Sequence, residues 1–460
     1  MDSFIINGGR PLKGTVRVHG SKNASLPLMA AALLTDRPLT LHDVPDLSDI
    51  RNMTRLLGTL GCRTGQSGPD GSRTLTIHAT DPSLTAAPYE IVKTMRAGIC
   101  VLGPLLARRG KARVSMPGGC AIGDRPVDLH LRGLRALGAQ ITLDAGDIVA
   151  VTPEGGRLIG AHVFLGGPSG STVLGTANVL CAAVLAKGRT IIESAACEPE
   201  VEDLAHLLIQ MGAKVQGAGS PRLVIDGVDQ LVGAEHRVIP DRIEAGTYVC
   251  AAAITRSPIT LENFPTDALG AALDRLHAIG VEVTPTPSPA PGKPGHAAQP
   301  LGRDDSSGTG QPFDRQRGSV TVHTPDRLKP VQVFTQPHPG FPTDLQAQIM
   351  SLLCLADGNS TITEKIFPDR FLHVAELLRM GAELTRNGPS VVVSGVKKLI
   401  GAPVMASDLR ASAGLVLAGL AASGTTTINR VYHLDRGYER MEVTLQALGA
   451  DIQRVKEENL

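Results

Sequence analysis

Residues 134–142 read LRALGAQIT: apolar side chains at helical spacing, a glycine, then a short apolar and polar alternation. The same phrase returns as LLGTLGCRT at 56–64, LIQMGAKVQ at 208–216, LHAIGVEVT at 276–284, LLRMGAELT at 377–385 and LQALGADIQ at 445–453. The apolar spacing predicts a helix, the glycine suits a left-handed cap that strains any residue with a Cβ, and the alternation predicts a strand. The glycines Gly61, Gly138, Gly212, Gly280, Gly381 and Gly449 follow one another at 77, 74, 68, 101 and 68 residues, so a unit of about 70 residues is repeated six times.

A second phrase accompanies the first: an Ala-rich helix, a Gly or Pro, then a strand. It occurs at 28–41 (LMAAALLTDRPLTL), 180–193 (LCAAVLAKGRTIIE), 249–262 (VCAAAITRSPITLE), 352–364 (LLCLADGNSTITE) and 415–429 (LVLAGLAASGTTTIN), and more loosely at 102–115 (LGPLLARRGKARVS). Each unit therefore holds at least two helices and several strands, an α/β (α+β) chain. Helices made of small apolar residues pack closely, which suits helices enclosed by a ring of sheets better than helices coating one. The single long spacing contains Pro285 to Arg317, a Pro/Gly/Ser-rich run that cannot build a core and reads as an exposed insertion.

A chain of 460 residues is too long for one core, and two domains are expected. A formal net charge of +1 gives no reason to expect nucleic acid, and any anion site must be local. Trp is absent and aromatics are 3%, so ligands are gripped by polar groups rather than by stacking. Met1 to Arg10 has no basic segment followed by an apolar run, and no stretch approaches the ~20 apolar residues of a membrane span; a cytoplasmic protein without membrane contact is expected. The seven cysteines are scattered with no CxxC or Cys/His cluster, so no metal site and no cofactor are expected.

The stretch densest in reactive groups is PGGCAIGDRPVDLH at 117–130, where glycines permit close ligand approach and Arg125 would stabilise the thiolate of Cys120. Lys22 and Asn23 stand where a helix begins, a place that favours anions. Arg96, Arg410 and Arg436, the last two beside Asp408 and Asp435, lie next to apolar sequence and need anionic partners, either internal carboxylates or substrate. Asp344 follows a Pro-rich turn into a helix, suited to capping as well as to catalysis. Asp241, Arg242 and Glu244 read as a strand-to-helix turn with local ion pairs.

Together and in this order, KNA at 22–24, TMRA at 94–97, PGGCAIGDRPVDLH at 117–130, PDRIEAGT at 240–247, FPTDLQAQ at 341–348, DLRASA at 408–413 and DRGYER at 435–440 resemble the enolpyruvyl transferases, in particular the branch that uses UDP-N-acetylglucosamine. The match covers nearly the whole chain. It implies a two-domain inside-out α/β barrel of six βαβαββ-type units, helices inside and sheets outside, with one domain at 22–239 and the other at 1–21 plus 240–460. The implied substrates are phosphoenolpyruvate and UDP-N-acetylglucosamine, and the implied setting is the first committed step of peptidoglycan synthesis, a target of fosfomycin. By the same resemblance Cys120 protonates C3 of phosphoenolpyruvate, Asp344 takes or orients the proton of the sugar hydroxyl, and Asp408 assists proton traffic.

Lys22, Arg125, Arg410 and Arg436 would then hold phosphate and carboxylate, supported by Arg370. Asn23 and Arg96 would meet the amino sugar or set the cleft, Arg125, Pro126, Val127, Asp128 and Leu129 would wrap the uridine diphosphate, and Ile366 would line the sugar site. Thr172 and Val173 stand where diphosphate contacts are usual, with Leu174 in place of the usual Gly. Two other readings remain at this level: a transferase acting on shikimate 3-phosphate, which lacks the Cys120 loop, and a non-catalytic protein that binds a UDP-sugar.

Overall fold

The computed structural model describes residues 2–68, 73–117, 127–154, 156–286 and 317–456. Its strands form six four-stranded sheets with one internal plan. In each, a short edge strand runs parallel to its neighbour, and the next two pairings are antiparallel, as in His162–Phe164, Arg189–Glu193, Arg222–Asp226 and Lys214–Gln216. All six repeat glycines are left-handed, with φ between 81° and 103°. The helix stops there because only a residue without Cβ turns the chain into the following strand at no steric cost.

The two repeated phrases give two kinds of helix. The Ala-rich helices, such as Val173–Ala183, Arg242–Ile254 and Leu409–Ala421, are enclosed almost throughout, and every residue of Arg242–Ile254 is buried. Small residues set their spacing: a Cβ on Gly103 would lie 2.2 Å from the carbonyl oxygen of Asn178, and one on Gly414 would lie 2.8 Å from that of Ala347. The helices that end in the repeat glycines, such as Ser48–Thr59 and Leu372–Arg379, bury one stripe only and expose the other. Helices inside and sheets outside thus holds for the Ala-rich set, while the amphipathic set reaches solvent because its polar face demands water.

The buried apolar side chains fall into two clusters, one running from Ala24 to Ile239, the other combining Phe4 to Val18 with Ile243 to Ile452. The chain crosses between them twice, and the crossings pair: Gly20 bridges Pro240, Ser21 N–H donates to Ile239 at 2.7 Å, and Asp241 N–H donates to His19 at 2.8 Å. Early strands complete late sheets. Asp2–Asn7 lies between Thr425–Asn429 and Asp451–Lys456, and Gly14–Arg17 pairs with Ile259–Pro265. Pro285 and Arg317, expected as the ends of the insertion, are instead residues of two antiparallel strands, Glu282–Pro285 and Arg317–His323, because the alternation of each strand continues into them. Residues 287–316 lie outside the described residues. No helix among the described residues is long and apolar enough to cross a membrane.

His19 ties the first crossing to the second half: its N–H and its Nδ1 meet the two carboxylate oxygens of Glu244 at 2.8 and 2.9 Å. The Glu244 charge, against the opposing effect of burial, raises the imidazole from 6.5 to about 9. A raised folded value means that the stabilisation is complete below pH 6.5 and is lost as pH rises through about 9. The expected size is on the order of 3 kcal/mol. Urea unfolding at pH 6 and pH 10 should show this loss in the parent and not in His19→Gln, and an equal loss in both would remove the pair from the stability balance.

Candidate active site

The Ala-rich helices, with the short 3-10 helices that precede two of them, begin at one place. Lys22, Arg96, Val173, Arg242, Thr343 and Leu409 each open such an element, and all six line a single cavity of about 570 Å³ between the two cores. The repeat dictates this, since every unit leads from an outer edge strand through a turn into a central helix pointing the same way. Free backbone N–H groups and the positive ends of the helix dipoles therefore face the cavity. Side-chain caps fix the starts: Ser21 accepts from Ala24 N–H, Thr172 from Gly175, Asp241 from Ile243 and Glu244, and Asp408 from Arg410 and Ala411.

Six cations among the described residues line the cavity, Lys22, Arg96, Arg242, Arg370, Arg410 and Arg436, and six carboxylates line it with them, Asp49, Asp128, Glu198, Glu200, Asp344 and Asp408. Asp344 receives Arg370 Nη1 at 2.8 Å and Arg410 Nε at 3.4 Å. Although burial opposes ionisation, these guanidiniums hold its carboxyl well below the usual carboxylate range. Asp49 links the halves, meeting Lys22 Nζ at 3.2 Å and Arg436 Nε at 3.0 Å. Arg242 forks onto Glu200 at 3.0 and 3.3 Å. Burial depresses the Lys22 ammonium, Asp49 opposes that, and the charges of Arg410 and Arg436 add to it. Burial also raises the Glu198 carboxyl, and its Oε2 has no partner among the described residues.

Arg410 is 1% exposed and lies over Tyr438, and apart from that tyrosine its terminal guanidinium nitrogens meet no hydrogen-bond acceptor among the described residues. Buried guanidinium N–H groups of this kind are costly unless something accepts from them. An anion entering the cavity supplies acceptors, and the neighbouring carboxylates offset the charge of the cations.

Of the residues singled out by sequence, Lys22, Asn23, Arg96, Asp128, Leu129, Thr172, Val173, Asp344, Ile366, Arg370, Asp408, Arg410 and Arg436 line the cavity. Cys120, Arg125 and Pro126 lie outside the described residues. The Val127 side chain is buried at 4% exposure, just ahead of the helix Asp128–Ala136, and is not among the side chains that line this cavity. The capping alternative for Asp344 fails, because the 3-10 helix Thr343–Leu345 has no side-chain cap and the carboxylate is held by arginines. The Thr172 hydroxyl and one oxygen of Asp408 are committed as helix caps. Arg242 does stand in a capped turn, yet its partner Glu200 is 42 residues away and Arg242 itself reaches the cavity.

Sequence reasoning missed Asp49, Glu198, Glu200 and His130. The first three sit in PDLSDI and CEPEVEDL, where acidic residues pass for ordinary first-turn acids. Their pairing with specific cations needs the closed ring.

A family model described as EPSP synthase (3-phosphoshikimate 1-carboxyvinyltransferase) matches residues 6–445. The chain belongs to this family of enolpyruvyl transferases. Within it, the chain is 50% identical over 456 residues to the UDP-N-acetylglucosamine 1-carboxyvinyltransferase of Anaeromyxobacter sp. (strain K), covering 99% of this chain and 100% of that protein. It is 47% identical to the enzyme of that name from Methylacidiphilum infernorum (isolate V4), over 99% of each. Among solved structures, the enolpyruvyl transferase NikO from Streptomyces tendae superposes with a TM-score of 0.82 at 24% identity over 99% of both chains. The EPSP synthase of Acinetobacter baumannii does so with 0.72 at 18%, over 99% of this chain and 100% of that one. Likeness at that identity speaks for the fold alone.

Proposed function

We propose that this transferase moves the enolpyruvyl group of phosphoenolpyruvate to the 3′-hydroxyl of UDP-N-acetylglucosamine and releases phosphate, the first committed step of peptidoglycan precursor synthesis, in the cytoplasm. The supporting observation is full-length identity near one half to proteins of that named activity, on a chain whose cavity joins the half-buried carboxylate of Asp344 to a ring of cations. In the addition, the sugar oxygen bonds to C2 of phosphoenolpyruvate, its proton leaves towards Asp344, and C3 gains a proton from Cys120. In the elimination, C3 loses a proton and the C2–O bond to phosphate breaks, restoring the double bond.

Lys22, Arg410 and Arg436 hold the phosphate and carboxylate of the donor, Arg370 supports Asp344, and Asp408 serves proton traffic through the oxygen not used in capping. Asn23, Arg96, Thr172, Val173 and Ile366 form the acceptor side, with Arg125, Pro126, Val127, Asp128 and Leu129 around the uridine diphosphate. The domains at 22–239 and at 1–21 plus 240–460 close over both ligands. Asp344, ionised between two arginines, is a weak base until the donor's charge draws those arginines away from it.

Phosphate release, followed with purified protein and phosphoenolpyruvate, should appear on adding UDP-N-acetylglucosamine and not shikimate 3-phosphate. Turnover of shikimate 3-phosphate alone would overturn the acceptor, and binding of the nucleotide sugar without release would indicate a sensor.

A further inference from the structure

The helix Val173–Ala183, otherwise apolar, carries a fully buried asparagine, Asn178. Its Oδ1 accepts from Gly103 N–H at 2.8 Å. A backbone amide can only donate there, so the amide orientation of Asn178 is settled and its Nδ2 must be the donor. That nitrogen reaches the carbonyl of Ile99 and the Nδ1 of His130, each at 2.9 Å. An amide N–H facing Nδ1 makes Nδ1 an acceptor, and a neutral ring that accepts at Nδ1 carries its proton on Nε2.

His130 is 4% exposed and borders the cavity, and its Nε2 has no protein partner among the described residues. Burial, helped by the charge of Arg96, lowers the imidazole to about 3, so the ring stays neutral at working pH. A neutral N–H locked in one tautomer cannot serve as a proton acceptor from substrate. It can only present a directed hydrogen bond to an oxygen. The surroundings select which oxygen: the charge of Arg96 reaches the ring, His130 stands in the first turn of the helix that begins at Asp128, and the helix that begins at Val173 opens on the same cavity. Positive potential favours an anionic oxygen over a carbonyl.

We propose that His130 Nε2–H donates to the diphosphate of the nucleotide-sugar acceptor and that Asn178 is the positioning residue that holds it in the donating tautomer. This rests on the acceptor assigned above. One hydrogen bond to a charged oxygen corresponds to roughly tenfold or more in affinity.

Long-range proton–nitrogen correlation on the full chain with labelled imidazoles, His130 being assigned by its disappearance in His130→Asn, should show a neutral ring protonated on Nε2 with and without UDP. Protonation on Nδ1, or an imidazolium near neutral pH, would overturn the proposal independently of any activity. In kinetics, His130→Asn keeps an acceptor for Asn178 and lacks the outer N–H, and it should raise KM for UDP-N-acetylglucosamine about tenfold, more than any change in KM for phosphoenolpyruvate. His130→Gln, whose amide can extend a donor to the same place, should recover most of that loss. UDP should weaken as an inhibitor of His130→Asn by the same factor, and uridine should not.

Loss confined to the complete nucleotide sugar, with UDP unchanged, would place the N–H on the sugar and sink the diphosphate assignment. If the parent protein binds no UDP-N-acetylglucosamine at all, the function fails while the tautomer result stands, so the two failures are distinguishable.

Discussion

Replacing Asp344 with asparagine is expected to lower kcat about a thousandfold while leaving the fold intact and the KM for phosphoenolpyruvate unchanged or lower. The size follows from the role: a carboxylate that takes or orients a proton in the transition state is worth between about a hundredfold and ten-thousandfold in rate. The direction of KM follows from geometry. Arg370 and Arg410 now spend part of their charge on Asp344, at 2.8 and 3.4 Å, and the neutral amide returns it to the anionic donor. Steady-state kinetics with both substrates varied would check this. A variant within tenfold of the parent kcat would remove Asp344 from the proton path and leave it a counter-ion.

A methyl group at the crossing should be nearly as damaging, through stability instead of chemistry. In Gly20→Ala the new Cβ would stand 1.8 Å from the carbonyl oxygen of Asp43. That oxygen has little freedom to retreat, because Asp43 is held at φ 59° in a strand irregularity and its buried carboxylate is paired with Arg17, Arg237 and Arg317. Backbone must move, and a loss of about 3 kcal/mol in urea unfolding is expected. Gly58→Ala is the control. It lies on the exposed side of the helix Ser48–Thr59 with nothing within 4 Å of its Cβ position, and it should stabilise by about 1 kcal/mol. Equal effects at the two glycines would show that the crossing is not tightly packed.

The parts of this molecule legible in its sequence are those decided within a dozen residues. The six glycine stops and the two classes of helix follow from local spacing and side-chain size, and the structure repeats them six times. Motif by motif, most of the charged residues that line the cavity were also legible, since they stand in short polar phrases beside apolar helix sequence. What sequence concealed is pairing over distance. Nothing in PDLSDI tells that Asp49 will meet Arg436, 387 residues on, and nothing near His130 points to the asparagine 48 residues later that sets its proton.

The strand Asp2–Asn7 finds its two neighbours only at residues 425–429 and 451–456. During synthesis this segment must therefore wait, paired only with water, until residues 425–456 have emerged, while the half built from residues 24–239 already has all it requires to collapse. Anything fused ahead of that strand is carried by the sheet that closes last.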